Sequence, residues 1–459
     1  MFANLLNTFS NCFKIPELKS RILFTVLLLA VARVSAMIPI PGLDGAKLYE
    51  FFEKLRQRGG DEGLLGMYSM FTGGALERCA IGSLGIMPYI SATIIIQLLT
   101  AVIPRLSKLA REEGGRTKII QYGRYLTVLL CLGQGFFMAL GWQNPQNLFQ
   151  GFEDNLVLIG PKWWYLLQTT LVLTSCTMLL MWLGEQITER GIGNGVSLII
   201  TVGILARLPQ ALESAKLMFF PPTGESRYNV FHAIALVALL VGVIAAVIAV
   251  TQAQRKIPVQ YAQRAVGRKV YAGGSSFMPL RVNYAGVMPI IFAQAILMFP
   301  QKFFELAGQN FDLPFLTQIG AKLNYGSAVY VIAEAMMILF FSYFWVATQF
   351  NEIQIADDLK KYNGYVPGVR PGQATSDFLH HAMSRITLAG AIFLAALAII
   401  PMLLYQLWNV PLEVGSFFGG TSVLISVGVV LDTMRQVESH LLMRHYDGFL
   451  KKGRIRGRF

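Results

Sequence analysis

Long apolar blocks dominate this sequence, and they restrict its fold more than any other feature. Blocks such as residues 230–252 and 386–404 match, at about 20 residues, the thickness of a bilayer's hydrocarbon core. Only 14% of the residues are charged, whereas soluble proteins carry about a quarter. The sequence therefore predicts an all-α membrane protein with many spans.

We predict ten transmembrane helices. Their predicted ranges are 22–40, 80–101, 119–141, 163–183, 195–208, 230–252, 284–300, 328–348, 386–404 and 414–431. The first block lacks a small-residue cleavage site and ends at Pro39 and Pro41, which favours a retained span over a signal peptide. Spans five and seven are short, and spans two and seven carry the internal prolines Pro88 and Pro289. Because broken helices are tolerated where the backbone faces protein or water, this pattern indicates a pore or a binding site.

The distribution of basic residues predicts the orientation. Most of the 39 Lys and Arg residues lie in the N-terminal segment 1–21, the even-numbered loops and the tail 432–459. Since basic loops stay in the cytoplasm, both termini are predicted to be cytoplasmic.

Two cytoplasmic loops, residues 254–283 and 351–383, are longer than topology requires and mix aromatic with basic residues. Their basic character, and that of the tail, is explained either by topology and lipid headgroups alone or by a large cytosolic partner that docks there. The net charge of +13 does not indicate nucleic-acid binding, because the basic residues do not form one patch.

An internal repeat relates the two halves of the chain. Residues 85–92 (GIMPYISA) resemble residues 286–293 (GVMPIIFA), and residues 195–203 resemble residues 420–428. Span two thus pairs with span seven, and span five with span ten. Five-span units, predicted here as residues 22–208 and 230–431 on either side of an external loop 209–229, would be inverted relative to each other, with a pathway between them.

Motifs of enzymes are absent from the sequence: it has no phosphate-binding GxxxxGK[ST] loop, no HExxH and no GxSxG. We therefore predict that the chain is not an enzyme and uses no cofactor, metal or small-molecule substrate. The cysteines Cys12, Cys79, Cys131 and Cys176 are predicted to be small apolar core residues. Within spans, Arg33 and Glu334 are predicted to be snorkelling or structurally paired. A secondary transporter and an intramembrane hydrolase are the alternative functions, but neither an ion-binding cluster nor a catalytic constellation supports them.

Five motifs resemble the SecY family of bacterial protein-conducting channels. They are IPIPG at 38–42, GIMPYISA at 85–92, GEQITERGIGNG at 184–195, VPGVRPG at 366–372 and FGGTS at 418–422. They extend along essentially the whole chain. The resemblance implies two inverted five-helix halves around a central hourglass pore, through which unfolded secretory polypeptides cross the plasma membrane.

The resemblance also implies a ring of aliphatic side chains that closes the pore. The ring residues would be Ile86, Ile90, Val196, Ile200, Met288 and Ile425. An apolar ring cannot hydrate an ion, yet flexible aliphatic side chains can part around a polypeptide. Without the resemblance, packing residues of a helix bundle would be the simpler interpretation.

A plug before span two and a lateral gate are further implications of the resemblance. The plug lies at about residues 63–78, with the residues Leu64, Leu65, Met67, Tyr68, Met70, Phe71, Gly73 and Gly74. Alone, this segment would be interpreted as an interfacial loop. Because full burial of six such side chains would contribute about 9–18 kcal/mol, we expect a reversible plug to be only partly buried.

The lateral gate would lie between spans two and three and spans seven and eight, and would release apolar segments into lipid. Pro88, Gln97, Pro289 and Gln294 are its candidate residues.

The partners implied by the resemblance are the small subunits SecE and SecG, the ATPase SecA, the ribosome, signal sequences and unfolded preproteins, and the lipid bilayer. The candidate docking residues for SecA or the ribosome are Arg255, Lys256, Arg268, Lys269 and Arg370. Arg370 would project from a loop stiffened by proline and glycine, where a guanidinium suits bidentate contact with carboxylate or phosphate.

Overall fold

The computed structural model is mostly helical and forms two compact units, Met1–Arg227 with Ile425–Phe459 and Tyr228–Leu424. It describes residues 15–57, 63–112, 114–148, 152, 154–158, 160–220, 228–261, 264–266, 269–271, 274–294, 296–297, 304, 314–323, 327–408 and 410–452. The sequence-based halves differ from these units mainly at span ten, since residues from Ile425 onward belong to the first unit. Val437 packs there with Leu18 and Ile192. The repeat itself stays a prediction.

The described residues of the first unit are mainly helical. Their bounds are Pro16–Val34, Gly45–Gln57, Gly63–Thr72, Met87–Val102, Pro104–Arg111, Gly115–Gln143, Pro145–Leu148, Lys162–Arg190, Gly195–Ala206, Leu208–Phe219 and, from Ile425 onward, Thr421–Lys452. Helices Gly115–Gln143 and Lys162–Arg190 pack against each other, and Gly195–Ala206 packs against Lys162–Arg190.

The first two predicted spans need correction at their ends. The first helix begins at Pro16 and ends at Val34, six residues before the predicted start and end. Residues 38–40 instead form backbone hydrogen bonds with Cys79 and Ile81, and Pro39 bridges to Ala80. Residues 80–86 form turns rather than the start of span two, whose helix begins only at Met87.

The described residues of the second unit form helices and five strands. Its helices are Val230–Gln252, residues 288–294, Pro314–Lys322, Ala328–Gln349, Glu352–Lys361, Gln373–Trp408 and Leu412–Gly419. Its strands are β1 (Gln254–Tyr261), β2 (Arg264–Val266), β3 (Lys269–Tyr271), β4 (Ser275–Arg281) and β5 (Gly364–Tyr365). Gly420, with a φ of +128°, separates Leu412–Gly419 from Thr421–Lys452, so predicted span ten is interrupted.

A three-stranded antiparallel sheet in the order β4-β1-β5 joins the loop after span six to the loop after span eight. In β1, Ile257 and Val259 are buried and alternate with exposed residues, as expected for a strand with one face on a core. Ile257 packs in a cluster with Phe350 of the loop after span eight and Leu379 of helix Gln373–Trp408. The two loops therefore form one structural element.

Six helical segments of the described residues are long and apolar enough to cross a membrane. They are Gly115–Gln143, Lys162–Arg190, Gly195–Phe219, Val230–Gln252, Ala328–Lys361 and Gln373–Trp408. Helix Met87–Val102, bent by 104° from the following helix, makes a seventh if the bent pair counts as one span. Helices also occupy predicted spans one, seven and ten, but they fail this test. Helix Pro16–Val34 begins with charged residues, span seven is described only in part, and helix Thr421–Lys452 becomes polar after Asp432.

Candidate functional site

The predicted plug, which we call the plug segment (residues 63–78), begins as the short helix Gly63–Thr72 and continues as turns. Tyr68 is 8% exposed and Met70 is 6% exposed, whereas Phe71 is half-buried. The Tyr68 hydroxyl donates a hydrogen bond to the carbonyl of Leu84 at 3.2 Å. The side chains of Leu64, Leu65 and Met67 lie outside the described part. The expected partial burial of the plug segment as a whole stays a prediction, since only three of its six large side chains are described.

Two glycines allow the plug segment to approach its neighbours closely. A Cβ on Gly73, whose φ is +66°, would lie 2.2 Å from the Arg33 guanidinium and 3.0 Å from the Cα of Gly203. A Cβ on Gly203 would lie 3.0 Å from the carbonyl oxygen of Phe71. Gly203 belongs to helix Gly195–Ala206. The plug segment therefore rests in a notch that only glycine leaves open.

A buried ion pair fixes the far end of the plug segment. Glu77 is fully buried, Arg207 is 2% exposed, and the two side chains form a hydrogen-bonded salt bridge. The Ser69 hydroxyl, also fully buried, donates to the same Glu77 oxygen at 2.6 Å. The Arg207 Nε–H donates to Gln210 Oε1 at 3.1 Å. Sequence reasoning missed this pair, since the two residues lie 130 positions apart and belong to no motif.

Residues of span five at helical spacing connect the plug contacts at Gly203 and Arg207 to the predicted ring. Val196, Ile200, Gly203 and Arg207 follow one another at intervals of four, three and four residues, which places them on one side of a helix. Ile200 is 2% exposed. Val196 is half-buried and lies against Gly184 of helix Lys162–Arg190.

The other ring candidates are distributed over both units. Ile86 and Ile90 lie at the start of helix Met87–Val102, and Ile425 lies in the first turns of helix Thr421–Lys452. All three are at most 5% exposed. Met288, half-buried, belongs to the second unit.

Within the first unit, Ile86 lines a cavity of about 30 Å³ together with Phe71, Arg33 and Gly203. This cavity is far too small for a polypeptide. It brings one ring candidate and the plug segment together.

The two gate prolines begin their helices rather than break them. Pro88 is the second residue of helix Met87–Val102, and Pro289 is the second residue of the helix at 288–294. Proline is well tolerated there because the first backbone N–H groups of a helix have no intrahelical acceptor. The prediction of internal breaks at these prolines is therefore wrong.

The gate glutamines have different surroundings. Gln294 is 5% exposed, and its Nε2 donates to Oε1 of Glu334, which is 1% exposed, at 3.1 Å. Glu334 is therefore structurally paired, as one of the two sequence-based alternatives holds, and is not snorkelling. Gln97 is half-buried in the first unit, and its Oε1 has no hydrogen-bond partner within the described residues.

The run Gly184–Gly195 forms a turn that holds three helices together. The N–H of Ile192 donates to Thr25 Oγ1 of the first helix, and the N–H of Gly193 donates to Gln436 Oε1 of helix Thr421–Lys452. A Cβ on Gly195 would lie 2.0 Å from the carbonyl oxygen of Gly184. The residue pattern of this motif is thus explained by close backbone packing at the start of span five.

Two of the docking candidates are exposed on strand β1, and one on the loop that follows β5. Arg255 and Lys256 are exposed on β1. Arg370 is exposed between Gly368 and Gly372, which have φ values of +84° and +101°. Arg268 and the tail residues 453–459 lie outside the described residues, as does the side chain of Lys269.

The cysteine prediction holds where the structure describes it. Cys79, Cys131 and Cys176 are buried and free, as predicted, and Cys12 lies outside the described residues.

Comparisons with known proteins agree on one family. The family model SecY matches residues 80–434. The protein translocase subunit SecY of Chlamydia trachomatis is 41% identical over 458 residues, which cover 98% of this chain and 99% of the relative.

Two solved structures share the fold. One is a SecY channel in which the plug domain is described as stabilising the closed state and maintaining a membrane seal. It has a TM-score of 0.58 at 17% identity, over 91% of both chains. The other is Sec61 in the canine ribosome-channel complex, with a TM-score of 0.54 at 17% identity and the same coverage. From its sequence and its fold, the chain belongs to the SecY family.

Proposed function

We propose that this chain is the channel subunit of a bacterial protein translocase. It conducts unfolded secretory polypeptides across the plasma membrane and releases membrane-protein segments sideways into lipid. The observation that carries this proposal is the similarity over 98% of the chain to a translocase SecY subunit. The family is one of channels rather than of enzymes, so the energy for transport comes from outside the chain, from SecA or from the translating ribosome.

The pore is sealed at its waist by Ile86, Ile90, Val196, Ile200, Met288 and Ile425. Burial of Ile86, Ile200 and Ile425 supports this role, because a dry apolar constriction excludes ions. The shared helix side of Ile200, Gly203 and Arg207 also supports a plug that sits next to the constriction.

The lateral gate includes Pro88 and Gln97 on one side and Pro289 and Gln294 on the other. Both prolines lie at helix starts that follow a left-handed glycine, so each helix is joined to the preceding segment by a turn. A signal sequence opens such a gate because it binds the open state more tightly than the closed state.

The sheet β4-β1-β5 and the loop around Arg370 form the docking face for SecA or the ribosome. Exposure of Arg255, Lys256 and Arg370 and the physical connection of the two loops support this assignment. SecE and SecG are the expected small subunits, and both chain termini are on the cytoplasmic side.

Reconstitution tests the function as a whole. Vesicles that contain the chain with SecE, supplied with SecA and ATP, should protect an added preprotein from protease. Vesicles without ATP and vesicles that lack the chain serve as the controls. Equal protection with and without the chain would overturn the proposal.

Crosslinking tests the ring. A cysteine at Ile200 should crosslink to a secretory chain that is stalled in the channel. A cysteine at Leu205, which is 45% exposed on the same helix, should not. Equal crosslinking at the two positions would remove Ile200 from the constriction.

Charge reversal tests the docking face. Arg370→Glu should abolish SecA-driven transport, whereas Lys360→Glu, the same charge change at an exposed position of the same loop, should leave most of it. Undiminished transport by the Arg370→Glu protein would exclude Arg370 from docking.

A further inference from the structure

Ser69, Glu77 and Arg207 form one buried polar cluster around the plug segment. Ser69 lies on the short helix Gly63–Thr72, and Glu77 lies beyond the glycine pair Gly73-Gly74. The Ser69 hydroxyl and the Arg207 guanidinium both donate to the same Glu77 oxygen. The bond between Ser69 and Glu77 closes the plug segment into a loop. Arg207 follows the end of helix Gly195–Ala206, so it attaches this loop to span five.

The charges of this cluster are removed from solvent, so the cluster is sensitive to the loss of either charged partner. A buried ion pair adds little compared with apolar packing, but the loss of one partner leaves an uncompensated charge in a dry site. The two charges therefore compensate each other as long as the plug segment stays in place. If the plug segment moves away, the separated charges are stable only where water reaches both of them.

The neighbouring contacts give the cluster a defined position. The notch at Gly203, one helical turn before Arg207, receives the backbone at Phe71 and Gly73. Span five thus holds the plug segment by shape at Gly203 and by charge at Arg207.

We propose that Ser69, Glu77 and Arg207 are a polar latch that sets the threshold for displacement of the plug segment. The proposal rests on the proposed channel function. A polypeptide that enters the channel brings water with it, and water solvates the Glu77 carboxylate and the Arg207 guanidinium as they separate. In the closed channel that water is excluded, so the latch holds. Wetting of the pore and release of the latch are therefore linked.

Variants of the pair test the latch in reconstituted vesicles. Arg207→Ala leaves the Glu77 carboxylate without this cation, and Glu77→Gln leaves the Arg207 guanidinium without this anion. Each variant should raise the anion leak of the resting channel by at least about tenfold. The double variant Glu77→Arg with Arg207→Glu restores opposite charges and should bring the leak back to within about threefold of wild type. Arg124→Ala is the control, since Arg124 forms an ion pair with Glu185 at 2.7 Å in the same unit and neither residue belongs to the plug segment.

A second readout separates a latch from a merely structural role. A destabilised channel transports every preprotein less well, whereas a channel with a weakened latch transports a preprotein with a defective signal sequence better than wild type. We expect that gain for Glu77→Gln and for Arg207→Ala, and not for Arg124→Ala.

The outcomes distinguish this inference from the proposed function. A wild-type channel that transports no preprotein contradicts the proposed function. A wild-type channel that transports preprotein, with Glu77→Gln vesicles that stay as tightly sealed and as signal-dependent as wild type, overturns the latch alone. If Arg207→Ala does not fold, the Glu77→Gln protein, close to wild type in shape, decides the question.

Discussion

The turns that precede helix Met87–Val102 and the helix at 288–294 have the same backbone and different surroundings. Gly85 and Gly286, which correspond in the predicted repeat, have φ values of +57° and +64°. Each is followed three residues later by a proline at the second position of a helix. However, a Cβ on Gly85 would lie 3.1 Å from the Thr72 methyl group of the plug segment, whereas a Cβ on Gly286 would meet no described atom within 4 Å.

This difference shows what local sequence controls and what it does not. The Gly-x-Met-Pro pattern dictates the turn in both places, because a left-handed glycine and an early proline suit one backbone path. The space beside the turn is filled in the first unit by the plug segment, which belongs to the preceding loop. The repeated turns are alike; the plug contact is specific to one of them.

The largest effect is expected at Gly73, where the plug segment is most crowded. Gly73→Ala combines a left-handed alanine with a contact of 3.0 Å to the Cα of Gly203 and displaces the end of the flexible Arg33 side chain, which together cost about 2–4 kcal/mol. Gly74→Ala, at a φ of +83° but with no atom within 4 Å, has only the backbone cost. We expect Gly73→Ala vesicles to leak ions strongly and Gly74→Ala vesicles to leak weakly. Equal leaks from the two variants would show that the notch does not hold the plug segment.

A smaller effect should distinguish the two corresponding turns directly. Gly85→Ala and Gly286→Ala share a left-handed strain of about 1 kcal/mol, but only Gly85→Ala also presses on Thr72. The apparent unfolding temperature in detergent should fall for both, and ion leak should rise for Gly85→Ala alone. A leak that is equally raised by Gly286→Ala would break the comparison, since no plug contact exists there among the described residues.

The smallest effect is expected for Glu334→Gln in the second unit. The side chain of Gln can still accept the hydrogen bond from Gln294, so the loss of stability should be below about 1 kcal/mol. Thermal unfolding of the variant and the wild type in the same detergent checks this. A loss above about 2 kcal/mol would mean that the carboxylate charge itself holds span eight, and the second unit would then resemble the first in its dependence on a buried charge.

Much of the helical architecture could be predicted because its cause is local. Apolar blocks located most of the predicted spans as helices, although Pro88 and Pro289, expected inside their helices, lie at the helix starts. The end of the first helix was wrong, because residues 38–40 form backbone hydrogen bonds with residues 79–81, a long-range pairing that hydropathy does not reveal.

The polar cluster around Glu77 could not be predicted for a related reason. Arg207 lies 130 positions from Glu77, and neither residue has a distinctive neighbour pattern. The one signal available was that Glu77 is the single carboxylate of residues 63–78. Only the packing of span five against the plug segment shows that this charge is buried and paired.

The shared sheet of the two loops has a mechanical consequence. Strand β5 pairs with β1 at Gln260 and Tyr261, and the core beneath the sheet contains Val346 of helix Ala328–Gln349 and Leu379 of helix Gln373–Trp408. A force applied to strand β1, for example at Arg255, therefore acts on both loops, because they share the sheet and its core. Both helices contribute side chains to that shared core, so a displacement of the sheet would act on Val346 and Leu379 together.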